Sequence, residues 1–99
     1  MSSKTARLLG LGHRAGNVVI GVAGVRAGLQ RGKISCVVLA ADASQRTIEK
    51  VVRLAEAKDI PVLRGPVADE LGAVLGRPPV QAAGVSDPAL ARGLIADSR

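Results

Sequence analysis

Hydrophobic positions along this chain follow two rhythms, and the alternation between them predicts the fold. Cys36-Val37-Val38-Leu39-Ala40-Ala41 is apolar at every position and stops at Asp42. A run of that length without alternation reads as a strand buried on both faces, which has to lie between helices. Val18-Val19-Ile20, Ile60-Pro61-Val62-Leu63 and the stretch from Val80 to Val85 predict three further strands. The first is β-branched throughout, and Pro61 restricts the second to a strand start or a sheet edge.

Between these runs the apolar residues recur at helical spacing. Ser2 and Ser3 can cap a first helix that runs to about Ala15, with Leu8, Leu9, Leu11 and Ala15 on its apolar side and Gly16-Asn17 ending it. A second helix follows Gly21 and reaches Arg31, with Val22, Val25 and Leu29 in phase. The third, Gln45 to Lys58, has Ser44 as its cap. Ile48, Val51, Val52 and Ala55 form one face; Arg46, Glu49, Lys50 and Arg53 form the other. A short fourth helix spans Ala68 to Leu75, with Asp69 and Glu70 in its first turn. Asp87-Pro88 starts a fifth. Strands alternating with helices predict an α/β protein, a three-layer α/β/α sandwich around a four-stranded mixed, mainly parallel sheet. Residues 1–99 form one domain on this reading.

Composition narrows the chemistry. Hydrophobic residues make up 47% of the chain and none is aromatic, so the core is built from aliphatic side chains and no platform for stacking bases exists. Cys36 lies inside the buried run and reads as a structural thiol. One cysteine and one histidine, His13, cannot make a zinc site. No stretch has the roughly 18 apolar residues of a membrane span, and Met1 to Ala6 lacks the apolar segment of a signal peptide. A cytoplasmic protein is expected.

The net charge is +6, and its placement is uneven. Lys4, Arg7, Arg14, Arg26, Arg31 and Lys33 all precede the first acid, Asp42; from there on eight basic and eight acidic residues cancel. An excess of cations confined to one third of a chain points to a polyanionic partner. Catalytic groups are scarce. Gly10-Leu11-Gly12-His13-Arg14-Ala15-Gly16 has the spacing of a dinucleotide fingerprint but lies late in a helix, so Gly10 and Gly12 read as contacts for close helix–sheet packing. Asp42, at a strand end, reads as a cap for the backbone of the strand-to-helix turn. No catalytic residue, metal or cofactor is expected.

The second helix carries the more specific signal. Gly24 and Gly28 each cost about 1 kcal/mol against alanine in a helix interior, which invites a reason such as the close approach of another backbone. A helix start with small side chains leaves its free N–H groups open to a phosphate. For Gly28, binding and packing against the sheet both account for the residue; for Gly21 and Gly24, binding is favoured.

Several pieces of the chain also resemble a known family. They are Leu8-Leu9-Gly10-Leu11 with Arg14-Ala15-Gly16, then Gly21, Arg31-Gly32-Lys33, and Val37 to Ser44. Ile60-Pro61-Val62, Glu70-Leu71-Gly72 with Gly76, Asp87-Pro88 and Ala91-Arg92-Gly93-Leu94 follow. In order and spacing this is similar to the kink-turn RNA-binding ribosomal-protein superfamily, the archaeal "seven-Ae"-type family, and within it to the bacterial YlxQ-like branch. The resemblance implies an α/β/α sandwich that binds RNA. The start of the second helix and the loop after the third strand would dock on a kinked internal loop, at Gly21 and at Arg64-Gly65-Pro66-Val67 here. Where kink-turn binders carry Asn-Glu shortly after the glycine, this chain has Ala23 and Gly24, and Ala27 replaces a lysine further on. Neither alanine nor glycine can read a base edge through its side chain, which leaves recognition of shape and phosphate.

The expectation is therefore a non-enzymatic binder of structured RNA, kink-turn-like or otherwise folded, linked to the ribosome or the transcription–translation machinery. Ribosomal RNA is one candidate partner; a membrane or a small-molecule substrate is not expected. Arg14, Arg26, Arg31 and Lys33 would meet phosphates, near Asn17. Gly21, Val22, Ala23 and Gly24 would present backbone N–H groups, with Ala27 a turn further on. Arg64, Gly65, Pro66 and Val67 would touch the flipped-out or stacked part of the RNA. The alternative is a protein–protein interaction module on the same scaffold, with kink-turn recognition lost.

Overall fold

A computed structural model describes residues 3–98. Along the chain run α1 (Ser3–Arg14), β1 (Val18–Ile20), α2 (Val22–Gln30), β2 (Cys36–Leu39), α3 (Gln45–Ala57), β3 (Val62–Arg64), α4 (Ala68–Val74), β4 (Ala82–Val85) and α5 (Pro88–Asp97). The caps expected of the Ser2 and Ser3 side chains lie outside the described residues and side chains. Two other caps form as expected: Ser44 Oγ accepts the Thr47 N–H at 3.2 Å, and Asp87 Oδ1 accepts the Ala89 N–H at 3.0 Å ahead of Pro88.

The sheet order is β1-β4-β2-β3. β2 and β3 are parallel, with Val37 opposite Val62. β4 runs antiparallel to both of its neighbours, with Val85 opposite Val18 on one side and Cys36 on the other. The sheet is mixed, as expected, but it is not mainly parallel: two of its three pairings are antiparallel. The cause lies in the segment before β4. The α4 helix has only seven residues, and the chain after it folds back, so that the Val80 N–H bonds to the carbonyl of Ala68 at 3.1 Å. The chain thus re-enters the sheet at the end it left by. Gly72 permits this, because a Cβ there would lie 2.2 Å from the Pro78 carbonyl oxygen.

Alternate residues of β2, and Ala40 just after it, enter two separate apolar clusters. Cys36, Val38 and Ala40 pack with Leu9 of α1, Leu71 of α4, and Ala91 and Leu94 of α5. Val37 and Leu39 pack with Val25 and Leu29 of α2 and Val51 and Ala55 of α3. β4 divides likewise, Ala83 and Val85 on the first side and Ala82 on the second. A strand with both faces covered has to be apolar at every position, which is the physical origin of the unbroken run. Cys36 is wholly buried, and loss of solvent raises its thiol pKa to about 11.

Candidate nucleic-acid interface

Because β1, β2 and β3 point the same way and β4 the other, three strand exits and one strand entry share a single rim of the sheet. Backbone hydrogen bonds join the segments there into a row. The Gly21 N–H donates to Ala82 O at 2.9 Å, Ala40 N–H to Gln81 O at 2.8 Å, and Ala41 N–H to Pro66 O at 2.9 Å. The start of α2, the β2–α3 turn, the Arg64–Val67 turn and the Gly76–Gln81 loop therefore lie side by side. Gly21 and Gly65 stand at its two ends, three strand spacings or about 14 Å apart.

At the β1 end of the row the tip of α2 is bare. Gly21 has φ 97° and ψ 155°, a conformation that glycine tolerates, and with no side chain it cannot cap the helix. A Cβ on Gly21 would meet nothing within 4 Å, and Ala23 is exposed. The N–H groups of the first turn thus face outward with small side chains around them. The other glycines of the helix have packing reasons. A Cβ on Gly24 would lie 2.7 Å from Val19 Cγ1, and one on Gly28 2.7 Å from Ile34 Cδ1.

Polar side chains brace the rest of the rim. Asp42 was expected to cap the backbone of its own strand-to-helix turn, but that role falls to Ser44. Its carboxylate reaches instead to the Ala68 N–H at 2.7 Å and caps α4, whose N-cap residue Val67 cannot. Gln81 Oε1 accepts the Ser44 N–H at 3.0 Å. Arg64 is exposed and donates through Nη1 to Ala40 O at 3.4 Å. Val67 beside it is 42% exposed, whereas Pro66 is buried. Asp69 and Glu70 add negative charge at this end.

The cations expected near the α2 tip are not gathered there. Arg14 ends α1 and Asn17 precedes β1, both at the opposite rim, where Asn17 O accepts the Ser86 N–H at 2.9 Å. Arg31 and Lys33 follow α2, whose nine residues carry them about 13 Å from the tip. With Ser86 they border an apolar cavity of about 400 Å³ over Val19, Gly24, Ala27, Gly28 and Ile34. Arg26 lies midway along α2 and faces α3. The loop that leads into β4 carries a cation that composition did not single out: exposed Arg77, its own N–H bonded to Gly72 O of α4 at 2.8 Å. The signal available was Gly76-Arg77-Pro78-Pro79, a loop sequence carrying one charge. Among the described residues no group of three His, Cys, Asp or Glu side chains could hold a metal ion, and no helix is long and apolar enough to cross a membrane.

Fold and rim together define a small α/β protein that presents an uncapped helix start at one end of a mixed sheet. The chain belongs to the ribosomal protein L7Ae/L30e/S12e/Gadd45 family, whose model matches residues 3–94. It is similar to the structure of a protein with unknown function from Bacillus halodurans, at 30% identity and a TM-score of 0.91, with 96% of each chain covered. It also shares its fold with the Giardia lamblia 15.5kD RNA binding protein, at 20% identity and a TM-score of 0.79, with 96% of this chain and 84% of that one covered. No curated protein matches the chain.

Proposed function

We propose that the chain is a single RNA-binding domain, a three-layer α/β/α sandwich that seats structured RNA on the strand-exit rim and catalyses no reaction. The observation that carries this reading is the open, uncapped α2 tip at Gly21, hydrogen-bonded to the start of β4, in a member of this family. The printed name of the Giardia protein, an RNA binding protein on the same fold, supports it. First-turn N–H groups from Val22 to Gly24 would donate hydrogen bonds to a phosphate, and Arg77 would supply its counter-charge. Arg64, Gly65, Pro66 and Val67 would form a second, less positive contact, because Asp69 and Glu70 stand beside it. Arg14, Asn17, Arg31 and Lys33 would be reached only by an RNA that runs the length of α2 past Ala27. With Ala23, Gly24 and Ala27 at the tip, the contact would read the shape and backbone of a kinked or otherwise folded RNA. A place in the cytoplasm, at the ribosome or in the transcription–translation machinery, follows from this reading.

Gel shifts against a kink-turn, a plain duplex and a single strand at two salt concentrations test the proposal. The folded RNA should bind best, and log affinity should fall against log salt with a slope of roughly one per phosphate contact. Equal affinity for all three RNAs, or affinity indifferent to salt, would reject it. The cavity bordered by Arg31 and Lys33 is what favours the alternative, a protein-interaction module: its floor is apolar, which suits a protein side chain better than a phosphate.

A further inference from the structure

The α2–α3 groove has a different character from the rim. Arg26 of α2 faces Glu49, Lys50 and Arg53 of α3 across a space of about 390 Å³, with Leu54 and Ala57 as its apolar wall. Three cations from two helices thus line one open groove with a single carboxylate, which accepts a hydrogen bond from Gln45 Nε2 at 3.3 Å. Among the described residues Arg26, Lys50 and Arg53 form no ion pair. The Nε–H of Arg26 is shut off from solvent and has no acceptor. A solvated helix face explains Lys50 and Arg53, which are exposed, but not a guanidinium N–H without a partner, since buried donors are almost always satisfied. The volume lies within the range of small-molecule sites, which pair apolar walls with a few convergent polar groups.

We propose that this groove is a second anion site, which takes the phosphate of a nucleotide-sized group. The Arg26 and Arg53 guanidinium groups would hold the phosphate oxygens, Lys50 would add charge, and the sugar or base would lie on Leu54 and Ala57. Two sources present this chemistry: a free nucleotide, or one residue of an RNA chain already bound at the rim. The second is within reach, because Arg26 is five residues beyond Gly21, about 8 Å along the helix axis. Only that second source rests on the RNA reading.

The test follows the Arg26 Nε–H resonance of the full chain by NMR during titration with adenosine monophosphate, inorganic phosphate, adenosine, and a kink-turn RNA. Adenosine monophosphate should shift that resonance and the amides of 49–54 saturably, with phosphate weaker and adenosine without effect. Arg53→Ala, on an exposed face, should weaken the nucleotide about tenfold, as expected for loss of one charge-assisted contact. Glu49→Gln should strengthen it, a change that a purely structural carboxylate would not produce. If Arg53→Ala also weakens the RNA and the nucleotide competes with it, the source is the RNA chain; if the RNA ignores both, the source is a free nucleotide. Saturable nucleotide binding without any RNA binding would uphold the groove and reject the rim. RNA binding at the rim, with the Arg26 resonance unmoved by every probe at millimolar concentration, would overturn the groove alone.

Discussion

The carboxylate of Asp42 caps the N–H of Ala68 at 2.7 Å, across 26 residues of sequence. This contact fastens the exit of β2 to the start of α4 and so holds the Arg64–Val67 turn between them. Replacing a side-chain cap by alanine costs about 1 kcal/mol, and Asp42→Ala should lower stability by that amount in urea unfolding. Hydrogen exchange at Ala68 and its neighbours should rise more than elsewhere, with Asp42→Asn restoring most of the loss. Uniform exchange across the chain would mean that the contact does not hold the turn.

Two glycines separate packing from conformation. At Gly72 a Cβ would lie 2.2 Å from Pro78 O and 2.8 Å from Arg77 O, backbone atoms that cannot swing aside as a flexible side chain can. Gly72→Ala should therefore destabilise by about 1–3 kcal/mol, the usual cost of overpacking, and displace the loop carrying Arg77. At Gly21 there is room, but φ of 97° strains any other residue, at a cost of about 1–3 kcal/mol. The two variants should lower the melting temperature to similar degrees. They differ at α2: Gly21→Ala alone should perturb the amides of Val22 to Gly24.

The thiol of Cys36 should titrate late. Burial raises its pKa from 9.0 to about 11, so the unfolded chain loses this proton first as the pH rises. Stability from this group is complete below pH 9 and falls between there and pH 11, by about 2–3 kcal/mol over the whole window. Cys36→Ala should flatten that part of the stability curve. Alkylation of the native protein near neutral pH should be as slow as global unfolding.

Most of the elements were legible because they depend on local pattern. Ser44 with Ile48, Val51 and Ala55 specifies α3, and the unbroken run from Cys36 specifies a strand with two covered faces. Strand direction was not legible at β4: alternation of helices and strands suggests parallel pairing, and the reversal depends on the chain folding back over Gly72, a contact between residues 72 and 78. The partner of Asp42 was hidden for the same reason, being long-range. The cluster of early cations was misleading in another way. Arg14, Arg31 and Lys33 are near in sequence to Gly21, yet a strand and a helix each carry the chain from one rim to the other, so proximity in sequence puts them at opposite ends.

That division makes the cations separable by experiment. Arg77 lies in the loop leading into β4, whose Ala82 is bonded to Gly21 at the α2 tip, while Arg31 and Lys33 stand about 13 Å from that tip along α2. A short folded RNA seated on the tip should lose about tenfold in affinity with Arg77→Ala, through one charge-assisted phosphate contact, and its salt slope should fall by about one. The pair Arg31→Ala and Lys33→Ala should leave that RNA nearly unaffected and weaken only one long enough to follow the helix to the opposite rim. Affinity measured for both variants against a short and an extended RNA decides between the two ends. A larger loss from the Arg31 and Lys33 pair on the short RNA would move the binding surface to the far rim, where the apolar cavity lies.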